Sequence, residues 1–329
     1  MKEDLEYLFD HKTLTRDRAK ALLVNIAEGQ YNSSQLASFL TVFIMRSITV
    51  EELGGFRDAL LELCVKVDLS DHETIDLCGT GGDGKDTFNI STLSSFVTAG
   101  AGVKVAKHGN YGVSSACGSS NVIQYLGYDF TGDPDQLRKQ IDKAGICFLH
   151  APMFHPAMKN IAPIRKEMGV KTFFNMLGPM VNPSFPKNQV VGVFSLELAR
   201  KYAYLYQNSD KRYSIIHALD GYDEISLTGN FKVISNSGEQ LISPEDLGMD
   251  RVRAADLSGG TSVEEAGKIF VEILKGNGTK TQNDVVAANA GMAINCVNQD
   301  KSMSDCIEMA SESIKSGAAY KCLNTLLEV

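Results

Sequence analysis

Gly79-Thr80-Gly81-Gly82-Asp83-Gly84-Lys85-Asp86-Thr87-Phe88-Asn89-Ile90-Ser91-Thr92 is the stretch around which the chain is organised. It follows a short β-like run, Thr74-Ile75-Asp76-Leu77-Cys78, and leads into a helix-like run from Leu93 to Ala99. Glycines at 79, 81, 82 and 84 let backbone N–H groups crowd against a ligand, because no Cβ stands in the way. Asn89, Ser91 and Thr92 add donors at the start of the next helix, where the dipole already favours an anion. The stretch reads as a phosphate cradle.

Two familiar glycine patterns fit this loop on paper, and the surrounding residues argue against both. Gly79 to Gly84 satisfies the dinucleotide fingerprint, which expects an acidic residue about 20 positions further on for a ribose hydroxyl. The window Ala101-Gly102-Val103-Lys104-Val105-Ala106-Lys107-His108 holds none. Gly79 to Lys85 also satisfies the P-loop spacing, but Asp86 replaces the Ser or Thr that would bind Mg²⁺. Asp83 inside the cradle would repel a nucleotide phosphate unless a metal intervened. A metal-bound anion fits better than either pattern.

Working outward, the chain has 329 residues, enough for two domains, with 43% hydrophobic and 22% charged residues and a net charge of −8. That balance argues against a nucleic-acid or anionic-membrane surface, so an anionic ligand must be held by focused positive groups in a cleft. The seven cysteines are scattered, with no C-x-x-C pair, so zinc and redox motifs are unsupported and reduced thiols in a cytoplasmic protein are expected. Met1-Lys2-Glu3-Asp4-Leu5 carries acids and opens no long apolar run, so no signal peptide is expected. No stretch approaches the length of a membrane span.

Residues 1–68 read as helices only. Leu5, Leu8 and Phe9 share one helical face; Thr15 caps a second helix with Ala19, Leu22, Leu23 and Ile26 at helical spacing; a third runs from about Ser34. Leu40 to Met45 is apolar nearly all round, which predicts burial. Thr49-Val50-Glu51-Glu52 has the capping-box form and opens a fourth helix. Over 69–154 short strands alternate with helices (strands at Val103–Ala106 and Ile146–Leu149), which argues for a mostly parallel sheet. Residues 155–186 are helical and proline-punctuated, and are expected to return to the helical domain. Residues 187–329 resume the α/β pattern, with strands at Val190–Phe194, Tyr213–His217, Glu224–Leu227 and Phe231–Ile234. Helices are expected after Thr261-Ser262, after Asn283-Asp284 and over Met303–Gly317. The fold class is thus α/β, with a small helical domain beside a larger domain built on a mostly parallel sheet.

A second polar cluster, Lys107-His108-Gly109-Asn110-Tyr111-Gly112-Val113-Ser114-Ser115, followed by Ser119, offers a cation, amides, hydroxyls and close-approach glycines. Those groups suit binding of a phosphate or diphosphate without its hydrolysis, although small polar residues also make ordinary loops. Asp223-Glu224 follows a strand-like run. Adjacent carboxylates there suit Mg²⁺, which takes one or two carboxylates plus phosphate oxygens and water; an isolated acidic pair is more often solvated surface. Arg165 lies in an apolar helical stretch and could grip a carboxylate or form a surface salt bridge.

Taken in order, Gly79-Thr80-Gly81-Gly82-Asp83, Asn89-Ile90-Ser91-Thr92, Lys107-His108-Gly109-Asn110, Val113-Ser114-Ser115, His155-Pro156-Ala157-Met158, Phe174-Asn175-Met176-Leu177-Gly178-Pro179 and Asp223-Glu224-Ile225-Ser226 resemble the anthranilate phosphoribosyltransferase family of tryptophan biosynthesis. The resemblance implies a nucleoside phosphorylase/phosphoribosyltransferase fold, homodimeric through its helical part. It implies transfer of the phosphoribosyl group of 5-phosphoribosyl 1-diphosphate to anthranilate, with two Mg²⁺ ions per subunit. By motif, Gly79, Gly82, Asp83, Thr87, Asn89, Ile90, Ser91, Thr92, the run Lys107 to Ser115 and Ser119 would hold the donor. Gly79, Asn110 and Arg165 would face anthranilate, and Ser91, Asp223 and Glu224 would serve the metal. No acid or base is assigned; Lys107, Asn110, Asp223 and Glu224 would act by positioning and charge. Two positions depart from the family: Tyr111-Gly112 stands where an Arg is common, and so does Lys171. The alternatives on the same fold are a pyrimidine-nucleoside-phosphorylase-like enzyme, separated by its lack of metal dependence, and a non-catalytic nucleic-acid-binding paralogue, separated by a salt-dependent DNA shift.

Overall fold

Three of the first four helices begin where a polar side chain takes a free backbone N–H. Thr15 accepts from Arg18 N, Asn32 forms a capping box with Gln35, and Thr49 forms one with Glu52. The computed structural model describes residues 1–112 and 117–329. The chain divides into two units, Met1–Lys66 with Ala151–Pro183 and Val67–His150 with Ser184–Val329.

In the first unit, helices Lys2–Phe9, Arg16–Ala27, Ser33–Met45 and Val50–Leu63 are joined by the short helix Ala162–Met168 and 3₁₀ turns at Pro156–Met158, Phe173–Met176 and Gly178–Met180. Phe39, Phe43, Phe56 and Phe173 meet edge-on or stacked at ring separations of 4.5–6.0 Å. Glu52 is fully buried, accepting from Leu14 N and Thr49 N and from both terminal nitrogens of Arg46. Burial pushes its carboxyl up, but these hydrogen bonds outweigh it and hold the group below the usual carboxylate range. The expected burial of the third helix's end is corrected: Ile44 is 44% and Met45 83% exposed. Phe9 also faces outward, while Leu5 and Leu8 are buried.

The second unit holds a seven-stranded sheet: β1 Thr74–Gly79, β2 Lys104–Gly109, β3 Ile146–His150, β4 Asn188–Gly192, β5 Arg212–Ala218, β6 Phe231–Ser235 and β7 Gly238–Ile242. Its spatial order is β3-β2-β1-β4-β5-β6-β7. The first five strands pair in parallel; β6 and β7 add on in antiparallel sense. The chain builds β1, β2 and β3 in one direction and then returns to place β4 on the other side of β1. Between β1 and β4 is therefore the switch point, and the crevice beyond their C-terminal ends is where open α/β sheets bind ligands. Helices Ile90–Gly100 and Lys280–Val297 pack against the central strands, and their apolar faces join one core with Ile75, Leu77, Val105 and Val190.

Three sequence expectations are corrected here. Glu224–Leu227 is not a strand: its backbone is claimed by a helix side chain, with Ile225 N donating to Asn289 Oδ1, and Leu227 has φ +60°. The helix expected after Asn283 starts at Lys280, capped by Thr279 with Gln282. The helix starting at Met303 ends at Lys315, and a further one, Ala318–Glu328, follows. Among the described residues no helix is long and apolar enough to cross a membrane.

Candidate active site

β1 ends on Gly79, which stands opposite Gly192, the last residue of β4. A Cβ at Gly79 would strike the carboxylate of Asp223, and one at Gly192 would land on the Asp223 backbone carbonyl. Two paired glycines at the switch point thus make the room in which Asp223 sits, 7% exposed. Asp223 Oδ2 accepts from Gly81 N at 2.7 Å, tying the acidic loop to the glycine loop. Glu224 Oε1 accepts from Ser91 N at 3.0 Å, in the first turn of helix Ile90–Gly100. A carboxylate is well placed there, against the positive end of the helix dipole. Asn89 does not cap this helix through its own side chain, which instead donates to Cys117 O at 3.0 Å.

The acidic loop is fixed from behind by Asn289, which lies in helix Lys280–Val297. Its Nδ2 donates to Ile225 O and its Oδ1 accepts from Ile225 N, at 2.8 and 3.0 Å. Lys85 Nζ lies 4.6 Å from the centre of the Tyr222 ring, one residue before the acidic pair. The glycine loop is closed at its far side by Phe88 N donating to Leu257 O and Gly259 N to Asp86 O.

Burial, and then repulsion from Asp83, raise the Asp223 carboxyl to about 7, against the Gly81 N–H. Burial, and then repulsion from Asp223 and Asp83, push Glu224 well above its ordinary value, although Ser91 N–H and Lys107 pull the other way. Lys107 is itself 1% exposed, its Nζ donating to Leu77 O at 2.6 Å. Burial lowers its pKa, opposed by Asp76, Cys78 and Glu224. Two buried carboxyls pushed towards their neutral forms beside Asp83, with one buried ammonium nearby, form an oxygen-donor set short of positive charge. That set fits a hard divalent cation. Among the described residues no three His, Cys, Asp or Glu side chains converge into a closed metal cage. A Mg²⁺ ion held by one or two carboxylates, with ligand oxygens and water completing its shell, needs no such cage.

Of the residues singled out in the sequence, Gly79, Gly82, Asp83, Thr87, Asn89, Ser91, Lys107, His108, Gly109, Asn110, Ser119, Asp223 and Glu224 belong to the α/β unit. Asn110 N donates to Ser119 Oγ, His108 N to Asp76 Oδ1, and Gly112 N to Asn121 Oδ1. Ile90 and Thr92 are buried, each 1% exposed. The Tyr111 ring packs edge-on to His150 and its hydroxyl donates to Gln124. Val113, Ser114 and Ser115 lie outside the described residues. Arg165 belongs to the helical unit, where it donates to Thr172 and Asn175. Sequence reasoning passed over Gly192, Asn289 and Asp76. A polar residue in the otherwise apolar run Val285 to Ala293 was the available signal for Asn289.

Residues 71–320 match the glycosyl transferase family, a/b domain, and residues 2–64 match the glycosyl transferase family, helical bundle domain. The anthranilate phosphoribosyltransferase of Flavobacterium psychrophilum is 63% identical over 329 residues, covering 100% of this chain and 99% of its own. The crystal structure of anthranilate phosphoribosyltransferase from Thermus thermophilus superposes with a TM-score of 0.91 at 32% identity, covering 98% of both chains. That from Saccharomyces cerevisiae in complex with PRPP and Mg gives 0.90 at 27% identity, covering 98% of this chain and 96% of that one.

Proposed function

The chain belongs to the glycosyl transferase family, and we propose that within it the chain transfers the phosphoribosyl group of 5-phosphoribosyl 1-diphosphate to anthranilate, releasing diphosphate in tryptophan biosynthesis. The observation that carries this reading is the switch-point crevice, where a glycine loop, a helix N-terminus and a repelling acidic pair are hydrogen-bonded to one another. Such a crevice suits a polyanion that brings a divalent cation with it.

In this reading Gly79, Gly82, Asp83, Thr87, Asn89, Ile90, Ser91 and Thr92 hold the donor's phosphates and ribose. Lys107 to Ser115, with Ser119, are assigned to the same donor. Ser91, Asp223 and Glu224 hold Mg²⁺, two ions per subunit; the yeast relative, whose structure contains PRPP and Mg, supports the identity of the metal. When bound, Mg²⁺ offsets the charge that develops on the departing diphosphate. The C1–O bond breaks with its electron pair leaving on diphosphate, and the anthranilate amine forms the C1–N bond and then loses a proton to water. An aromatic amine is a neutral, weakly basic nucleophile, so the chain's contribution is positioning and charge stabilisation and not a strong base. Gly79, Asn110 and Arg165 face anthranilate, with Arg165 meeting its carboxylate. Arg165→Ala is then expected to raise the anthranilate KM roughly tenfold to a hundredfold, with little change for the donor. Fluorescence-monitored anthranilate consumption with the donor and Mg²⁺ measures both constants. Equal shifts in the two would remove Arg165 from the anthranilate site, and no consumption by the wild-type chain would overturn the function.

The chain also pairs as a homodimer through the helical unit, and acts in the cytoplasm. Supporting the first, Phe9, Ile44 and Met45 leave apolar side chains exposed on the packed helices Lys2–Phe9 and Ser33–Met45. Supporting the second, all seven cysteines are free. Met45→Lys is expected to shift the sedimenting species from dimer towards monomer; a species unchanged at micromolar concentration would move the interface elsewhere.

A further inference from the structure

The helical unit contains two arginines held in opposite ways. Arg46 delivers both terminal nitrogens to the Glu52 carboxylate, at 2.6 and 2.9 Å, and is compensated within the fold. Arg165 donates Nε to Thr172 Oγ1 at 3.1 Å and Nη2 to Asn175 Oδ1 at 3.2 Å. Its guanidinium carbon lies 5.1 Å from the centre of the Phe174 ring. Phe174 stacks on Phe173, which stacks on Phe56, each at 4.5 Å, so this platform is anchored in the core. A hydroxyl, an amide oxygen and a ring face fix the plane of the guanidinium, and none of them carries a formal charge. Burial lowers the Arg165 pKa with no acidic neighbour opposing it, and no carboxylate lies within ion-pair distance of it among the described residues.

We propose that Asn175 is a positioning residue: its neutral amide oxygen aims Arg165 without neutralising it, leaving the charge for the carboxylate of anthranilate. Asn175 thereby sets the preference for an acidic over a neutral aromatic amine. The proposal rests on the reading that Arg165 meets that carboxylate. Asn175 is suited to this because the same Oδ1 accepts from Thr172 N at 3.2 Å, capping the 3₁₀ turn Phe173–Met176. The turn holds the acceptor still, and the acceptor holds the arginine. An aspartate at this position would keep both hydrogen bonds and add a charge in contact with the guanidinium, competing with the substrate for it.

Asn175→Asp separates these roles, because a carboxylate caps the turn as well as an amide does. The measurement is kcat/KM for anthranilate and for anthranilamide, which keeps ring and amine but lacks the charge. A ratio of the two from one preparation does not depend on the fraction of protein folded. The aspartate is expected to lower kcat/KM for anthranilate roughly tenfold or more while leaving anthranilamide within about twofold. Arg165→Ala, measured alongside, is expected to collapse the same ratio. If Arg165→Ala collapses it and Asn175→Asp does not, or lowers both substrates equally, the proposal fails and the arginine's role stands. If neither variant moves the ratio, the assignment of Arg165 to the carboxylate fails first.

Discussion

Asp223→Asn combined with Glu224→Gln is expected to abolish Mg²⁺-dependent transfer, by roughly a thousandfold or more, and to stabilise the metal-free protein. The two effects have one cause. Burial and the neighbouring acid Asp83 hold both carboxyls above their ordinary values, so ionising them costs folding free energy that only a cation offsets. Asp223 has a folded pKa of about 7 against 3.8 for the free group. Its contribution is therefore intact below about pH 4 and lost as pH rises through 7. The metal-free wild type should lose melting temperature across that window and regain it with Mg²⁺; the neutral pair should do neither. Amides of the same shape keep acceptors for Gly81 N and Ser91 N, so the loops stay in place. Turnover and melting curves from pH 4 to 8, with and without Mg²⁺, decide the matter. Metal-dependent turnover surviving in the double variant would refute the assignment.

Gly192→Ala is expected to cost about a hundredfold in kcat/KM although the added methyl touches no substrate. Gly192 accepts from Thr80 N through its carbonyl and faces the Asp223 main chain with its Cα. The methyl would overlap a backbone oxygen, which cannot rotate away as a side chain could, so strand and acidic loop must part. Overpacking of this kind costs about 1–3 kcal/mol, and an ångström of displacement at reacting groups costs about a hundredfold in rate. Steady-state kinetics together with a melting curve test it. Wild-type kinetics in the alanine variant would mean that the acidic loop is not held against β4.

The features legible in the sequence are those set by neighbours in sequence. Thr49 with Glu52 announced a helix start because capping is settled within four residues. The glycine loop announced a ligand crevice because glycines free backbone wherever they fall. What the sequence hid is set by distant partners. Glu224 to Leu227 alternates like a strand, yet Asn289, 64 positions from Ile225, takes its hydrogen bonds. Leu40 to Met45 is apolar nearly all round, yet its last two residues overrun the unit's core. Gly192 is an ordinary strand glycine in sequence, and its reason is Asp223, packed against it in space. Glu52 passed for a cap alone, though Arg46 and Leu14 also converge on it.

The grip of Asn289 on Ile225 means that the acidic pair takes its orientation from a helix outside the two cradle loops. Asn289 donates in addition to Val285 O one turn back, so its side chain is cross-braced and turns only when the helix turns. A small roll of that helix about its axis would tilt both carboxylates together, keeping their spacing while changing their aim. Substitutions along its buried face therefore act on the site as a rotation of the two carboxylates, altering their aim while every residue of the crevice stays the same.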